Sequence, residues 1–172
     1  MRSDPDPADF AVSVPSARPP SEPLSRSRMK EIARAVAANH GLWQPIVRMD
    51  PATRWHQRLH SAADYDVWLE SWLPGQDTGW HDHAGTSGVL VVARGELEER
   101  VSVLNGVLTQ VRHIPEGAAR RMGRRGVHNL TNVSLAPAVS VHVYSPPLGA
   151  TRGYKIGAMG LMRSPWNASS QN

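Results

Sequence analysis

Two histidines one residue apart, His81 and His83, are the side chains of this sequence best suited to binding a metal ion. In a β-strand, residues i and i+2 face the same side, so both imidazoles would point into one cavity. Three further polar side chains follow on strand-like segments: His128, His142 and Tyr144. The chain has no cysteine, so a metal ion would be held by histidine or carboxylate. This pattern predicts a metal site in a small β-protein.

The elements that must position these residues are short strands. From Pro45 onward, β-favouring runs alternate with turn signals every eight to twelve residues or so, which is typical of a sandwich or barrel. Asn105-Gly106 predicts a hairpin, and residues 115–126, rich in arginine, predict a loop. We predict eight strands, at residues 54–60, 65–73, 79–83, 87–94, 96–104, 107–113, 127–133 and 138–145.

One helix is predicted before the strands, at about residues 26–39. Met29, Ile32, Ala33, Val36 and Ala37 recur at helical spacing, and Ser25 is a suitable N-cap. Residues 1–24 contain six prolines among serines and charged residues, and we expect this tail to be disordered. Residues 25–172 are therefore predicted to form a single all-β domain, a barrel with this helix packed outside.

Charge and hydropathy argue against several classes of partner. The net charge is +4, and Arg120-Arg121 and Arg124-Arg125 form a basic run without any nucleic-acid-binding motif. We interpret this run as a solvated loop and expect no nucleic-acid partner. The sequence shows neither a secretory signal nor an apolar stretch long enough to span a membrane. We expect a cytoplasmic protein, and a monomer, although no sequence feature fixes the oligomeric state.

Gly75 to Gly95, with the histidine pair between them, resembles the first motif of the cupin superfamily. Pro115-Glu116-Gly117 and His128-Asn129-Leu130-Thr131-Asn132 resemble the second. The glutamate that usually ligates metal in the first motif is absent, since Ser87 and Gly88 stand at its positions. The segment 137–147 then resembles the cysteine dioxygenase family of thiol dioxygenases, because Ser140, His142 and Tyr144 match its serine–histidine–tyrosine relay. The resemblance covers roughly residues 50–150 and implies a double-stranded β-helix, or jelly roll.

The resemblance implies a chemistry and a metal. His81, His83 and His128 would ligate iron(II), although this ligand set alone would also accept zinc or copper. A small thiol and dioxygen would react there to give a sulfinic acid. Tyr144 would donate a hydrogen bond to the reacting thiol or oxygen, oriented by His142 and Ser140. Gly88 stands where animal members carry a cysteine linked to the tyrosine, so Tyr144 would act unmodified.

The substrate end of the pocket leaves three alternatives open. Family members read the substrate carboxylate with arginine or glutamine on an early strand, and Gln57 matches that position without a gap. We expect Gln57 to point inward with Trp55 and Leu59, which favours 3-mercaptopropionate over L-cysteine. A bulge would instead bring Arg58 inward and favour L-cysteine. A further arginine from the 120–125 loop is a third possibility.

Four other side chains near these segments are expected to play no part at the site. His56 and His60 lie on the strand face opposite Trp55 and Leu59, and we interpret both as surface residues. Asp82 alternates out of phase with the histidine pair, so we expect it to be exposed and not to ligate metal. Trp80, also out of phase, is expected to pack outside the site.

Two functions of other classes compete with the dioxygenase. One is a different cupin enzyme, such as a metal-dependent isomerase or a dioxygenase of carbon substrates, which usually keeps the missing glutamate. The other is a non-catalytic metal-binding sensor of small acids, which would bind without turnover.

Overall fold

A computed structural model describes residues 22–103, 108–158 and 160–164. It contains two helices, α1 (Arg26–Ala38) and α2 (His40–Trp43). The predicted N-cap is confirmed, since the Ser25 hydroxyl accepts a hydrogen bond from the backbone N–H of Arg28. Neither helix in these residues is long and apolar enough to cross a membrane. Residues 1–21 of the predicted tail and the Asn105-Gly106 hairpin lie outside the described residues.

In the described ranges, eleven strands form two antiparallel sheets, and all eight predicted strands are among them. The first sheet has the order β1-β2-β9-β4-β7 and the second the order β11-β10-β3-β8-β5-β6. The strands are β1 (His56–Ser61), β2 (Asp66–Trp72), β3 (Trp80–Asp82), β4 (Ser87–Arg94), β5 (Glu96–Val103), β6 (Leu108–Pro115), β7 (Ala119–Met122), β8 (His128–Thr131), β9 (Ala138–Ser145), β10 (Arg152–Gly157) and β11 (Gly160–Arg163).

The prediction of an uninterrupted loop over residues 115–126 is wrong at its centre. Ala119–Met122 forms β7, which pairs with β4 at the edge of the first sheet. Met122 is buried in the interior, and Arg120 forms an ion pair with the buried Glu99. Arg120 can lie in this strand because the carboxylate of Glu99 neutralises its charge. The run of arginines in the sequence gives no indication of that partner.

The first sheet separates two apolar layers. Its outer face carries Val89, Val91 and Val141, on which Met29 and Ala33 of α1 pack. Its inner face meets the second sheet through a cluster that contains Trp72, Leu90, Val92, Leu97, Ile114 and Leu130. Because strand residues alternate between faces, every second residue of β2, β4 and β9 points into the space between the sheets. The predicted jelly roll with an outer helix is confirmed.

Candidate metal centre and substrate cavity

Three buried histidines converge between the sheets. His81 on β3 is paired directly with His128 on β8, and His83 follows just after β3. One nitrogen from each ring lies within 4.8 Å of the others, which is close enough for a single ion to bind all three. The predicted metal-ligating residues are thus brought together by two adjacent strands of the second sheet.

The hydrogen bonds of these rings leave one nitrogen of each available. His81 Nδ1 lies 3.0 Å from the carbonyl oxygen of Gly79, and His128 Nδ1 lies 3.0 Å from Glu99 Oε1. Both acceptors hold the proton on Nδ1 and leave Nε2 as the ligand atom. His128 Nε2 and His83 Nδ1 are buried and have no hydrogen-bond partner among the residues that the structure describes.

The electrostatics of the cluster also suit a metal ion. Burial lowers the pKa of His81 to about 3 and that of His83 well below its ordinary value, so both rings are neutral at neutral pH. Neutral imidazoles with unpartnered buried nitrogens are ligands for a divalent transition metal. The donor set fits a three-histidine metal site.

Glu99 supports this cluster and was not found by sequence reasoning. Its carboxylate is almost fully buried, and it accepts a hydrogen bond from Arg120 Nε at 2.6 Å. Arg112 lies 3.6 Å from the same oxygen. Burial would raise the pKa of Glu99, but the hydrogen bonds from His128 and Arg120 lower it below its usual value. An ionised carboxylate therefore fixes the orientation of the His128 ring.

The serine, histidine and tyrosine predicted on β9 form a hydrogen-bonded chain. Trp72 Nε1, which can only donate, lies 2.9 Å from Ser140 Oγ, and Ser140 Oγ lies 2.8 Å from His142 Nε2. When the Ser140 hydroxyl donates to His142 Nε2, the neutral ring carries its proton on Nδ1, which lies 3.3 Å from Tyr144 Oη. In that tautomer Tyr144 accepts from His142, and its own O–H can donate elsewhere.

Two members of the relay, His142 and Tyr144, are uncharged at neutral pH. Burial lowers the pKa of His142, and it raises the pKa of Tyr144 well above its ordinary value, so both side chains are neutral. Tyr144 Oη lies 3.5 Å from His83 Nε2, which places a phenolic donor beside the metal cluster. The relay can thus hold a proton donor next to the metal position.

Gly88 lies directly opposite Tyr144 in the pairing of β4 with β9. A Cβ at Gly88 would lie 2.7 Å from Tyr144 Cδ1 and 2.8 Å from the Met122 terminal methyl. The tyrosine ring therefore occupies the space of any side chain at this position, and glycine is required by contact rather than by backbone conformation.

A cavity of about 250 Å³ opens beside the three histidines and the relay. Its walls come from both sheets and from the segment after β9. They include His81, His83, His142 and Tyr144, together with Arg54, His56, Arg58, Trp68, Glu70, Leu130 and Leu148. A volume of this order suits a small organic molecule.

The expectation that Gln57 points inward and Arg58 outward is wrong. Gln57 is paired with Leu69, whose side chain packs under α1, whereas Arg58 is paired with Trp68, which lines the cavity. The apolar face of β1 therefore packs toward the helix layer, and its polar face lines the cavity. The shift in register follows Arg58, between it and His60, so it is not what turns Arg58 inward.

Arg58 and His56 both line the cavity. The Arg58 guanidinium carbon lies 5.5 Å from the Trp68 ring centroid, a cation–π contact. His56 was expected at the surface, yet it lines the cavity, and its buried Nδ1 has no hydrogen-bond partner in the described part of the chain. Both residues lie at the cavity because the polar face of β1, and not its apolar face, is turned towards the barrel interior.

Arg54 and Glu70 form an ion pair in the cavity wall that sequence reasoning did not identify. The Arg54 guanidinium carbon also lies 4.7 Å from the Trp72 ring centroid. Glu70 lies on the largely buried strand Asp66–Trp72, and a carboxylate between Leu69 and Ser71 of that strand was the available signal.

The expectation that Asp82 is exposed is also wrong, because a strand missing from the prediction covers it. β10 pairs with β3, and Arg152 Nε and Tyr154 Oη donate to Asp82 at 2.8 and 2.6 Å. Asp82 points away from the histidine cluster and its oxygens are already engaged, so it holds β10 to β3.

Comparison with known proteins yields matches in both sequence and structure. A family model described as cysteine dioxygenase type I matches residues 24–156. A protein of Danio rerio named cysteine dioxygenase type 1 is 23% identical over 145 residues, covering 78% of this chain and 72% of that protein.

Two solved structures show the same fold. A Klebsiella pneumoniae protein described as having a double-stranded β-helix domain is 21% identical, with a TM-score of 0.56, over 63% of this chain and 84% of that one. A cupin protein of Desulfovibrio desulfuricans is 22% identical, with a TM-score of 0.50, over 59% of this chain and 90% of that one. These likenesses identify the fold as a cupin.

Proposed function

This chain belongs to the cysteine dioxygenase type I family, and we propose that it is an iron-dependent thiol dioxygenase. Its substrate is L-cysteine or a related small thiol carboxylate, which reacts with dioxygen to give the sulfinic acid. The observation that carries the proposal is the placement of Tyr144 Oη beside His83, at the edge of a three-histidine cluster. The alternative cupin activities and a binding-only sensor give no reason for a directed proton-donor relay there.

His81, His83 and His128 would hold the metal through the nitrogens that their other hydrogen bonds leave free. Iron(II) bound there supplies a centre at which an anionic thiolate and dioxygen can be brought together. Three neutral ligands leave the charge of the ion uncompensated, which favours a substrate that brings its own negative charge. The choice of iron over zinc or copper rests on the family.

Tyr144 is the proton donor of the site in this proposal. In this proposal His142 donates from Nδ1 to the phenolic oxygen, which lies 3.3 Å away, so that the Tyr144 O–H is available to a ligand in the cavity. Ser140 and Trp72 maintain that polarity from behind. The donor therefore needs no reorientation when substrate arrives, which is the condition for electrostatic stabilisation of a reacting oxygen.

Arg58 is the residue that we assign to the substrate carboxylate. It lines the cavity and lies against Trp68, and the described residues offer its guanidinium no carboxylate partner within salt-bridge distance. A guanidinium binds a carboxylate with two parallel hydrogen bonds. Gln57 lies on the other face of β1, which removes the argument from its position for a 3-mercaptopropionate dioxygenase.

The test is a direct assay of the purified protein loaded with iron(II). Oxygen uptake and sulfinate formation are measured with L-cysteine and with 3-mercaptopropionate in parallel. We expect both to be consumed with about one dioxygen per sulfinate, and L-cysteine to be preferred. The His128→Ala variant is the control and should lose turnover. Tight binding of thiol by the iron-loaded protein with no oxygen uptake would instead support the sensor.

A further inference from the structure

A second cleft, of about 420 Å³, lies outside the space between the sheets. Its walls come from β3, β5, β10 and β11 and from the segment that joins β7 to β8. The proposed chemistry uses none of its side chains. The polar ones in this outer cleft are Asp82, Ser102, Arg125, Arg152, Tyr154 and Arg163.

Strand pairing gathers four of these side chains on the outer face of the second sheet, which is the face turned away from the first sheet. Asp82 follows the buried His81 on β3, so its side chain points to the opposite face. Arg152 of β10 is paired with Asp82, and Tyr154 of β10 is paired with Arg163 of β11. Directly paired residues of antiparallel strands share a face. The outer cleft and the histidine cluster therefore lie on opposite sides of one sheet.

The outer cleft has an excess of positive charge. Three arginines line it, and among the described residues Asp82 is its one acidic side chain. Asp82 already accepts hydrogen bonds from Arg152 Nε at 2.8 Å and from Tyr154 Oη at 2.6 Å. Arg125 and Arg163 are exposed, and their guanidinium groups make no ion pair or hydrogen bond with any described residue. Two cations without a counter-charge thus share one concave surface, which attracts anions.

Ser102 adds a neutral donor to these cations. Its hydroxyl oxygen is buried and has no hydrogen-bond partner in the described part of the chain. Its backbone N–H donates to the carbonyl oxygen of Val127 at 2.9 Å, which holds Ser102 beside the segment that carries Arg125. A buried hydroxyl without a partner is unfavourable. An anion bound in the outer cleft would supply the acceptor that this hydroxyl lacks.

We propose that the outer cleft binds a phosphate group, either as inorganic phosphate or as part of a small phosphomonoester. The N–H groups of a guanidinium match the spacing of phosphate oxygens. A phosphate carries close to two negative charges at neutral pH, so one group can neutralise Arg125 and Arg163 together. Val127 and Leu161 give the cleft an apolar wall beside these cations, which suits the organic part of a phosphomonoester. This binding does not depend on the proposed function.

The experiment titrates the purified protein with inorganic phosphate by calorimetry, at a constant ionic strength set with sodium chloride. We expect one phosphate per chain, and Arg125→Gln and Arg163→Gln should each raise its Kd about tenfold, the effect of losing one charge-assisted hydrogen bond. Arg124→Gln is the matched control, because Arg124 is exposed in the same segment but does not line the cleft. This control should raise the Kd by about twofold at most.

Two further titrations identify the ligand and its location. Phenyl phosphate should bind more tightly than inorganic phosphate if the apolar wall receives an organic group, and equally well if the ligand is free phosphate. The His128→Ala variant should bind phosphate as the wild type does, since His128 points to the other face of the sheet. Loss of binding in that variant would place the anion at the histidines and overturn the proposal. Absence of saturable binding to the wild-type protein, or equal losses in Arg124→Gln and Arg125→Gln, would also overturn it.

Discussion

Individual side chains in this site are fixed by one hydrogen bond and left free at a second atom. His81 and His128 each use Nδ1 on an acceptor and keep Nε2 available, and Tyr144 Oη lies within hydrogen-bond distance of His142 Nδ1 on one side and faces the cavity on the other. Such one-sided pairing positions a reactive atom before any ligand arrives. The site is therefore preorganised residue by residue.

Removing the Tyr144 hydroxyl tests the proton donor. Tyr144→Phe keeps the ring against Gly88 and removes the O–H, so we expect kcat to fall about 100-fold with a smaller change in KM. Steady-state oxygen uptake and the ratio of oxygen consumed to sulfinate formed provide the measurement. Tyr65→Phe, on a ring stacked with His60 outside the cavity, is the control. Full activity with unchanged coupling in Tyr144→Phe would exclude the role.

Neutralising Glu99 tests the support of the metal ligand. Glu99→Gln weakens the acceptor for His128 Nδ1–H and leaves Arg120 without its counter-charge, so metal affinity should fall about tenfold. Competition with a chromophoric chelator measures this affinity. Glu98→Gln, one residue away and paired at the surface, should bind metal as the wild type does. Equal affinities in the two variants would show that Glu99 serves only the packing of β5.

Secondary-structure elements were predicted more reliably than the faces they present. The eight predicted strands agree with alternation and turn signals, but β7 was hidden by its arginines and β10 and β11 were not recognised. On β1, the alternation of Trp55, Gln57 and Leu59 was right, yet their side of the sheet was wrong. The first sheet lies between two apolar layers. The alternation of residues in β1 therefore gives no sequence signal for which of its faces is turned towards the barrel interior.

The helix layer offers a test of stability separate from the site. Met29 is 1% exposed between α1 and the first sheet, so Met29→Ala should lower the free energy of unfolding by about 3 kcal/mol. Urea denaturation measures the change. Lys30→Ala, on the exposed side of α1, should have little effect. A loss below about 1 kcal/mol in Met29→Ala would mean that the helix contributes little to the fold.

At the scale of the whole molecule, the candidate site residues that belong to a short sequence motif were predictable, and those defined by distant partners were not. His81, His83, His128, Ser140, His142 and Tyr144 were found because their spacing follows a motif. Arg54, Glu70 and Glu99 were missed because their significance depends on partners 16 to 29 positions away.

Metal binding should be coupled to the stability of the whole domain. The cluster buries unpartnered nitrogens, so an ion bound only by the folded state adds about 2.7 kcal/mol at a free concentration 100 times its Kd. For a chain of this size, that raises Tm by roughly 5–10 °C. Thermal denaturation with metal and with chelator measures the shift. His128→Ala should fold but show no shift, and a metal-dependent Tm in that variant would place the ion elsewhere.

The two sheets carry different parts of the site. The three histidines lie on or beside β3 and β8 of the second sheet, whereas the relay and Arg58 lie on β9 and β1 of the first. On the proposed function, a change at Arg58 would alter substrate binding while leaving the three histidines in place. A laboratory selection for new thiols should therefore accumulate most of its changes outside β3 and β8.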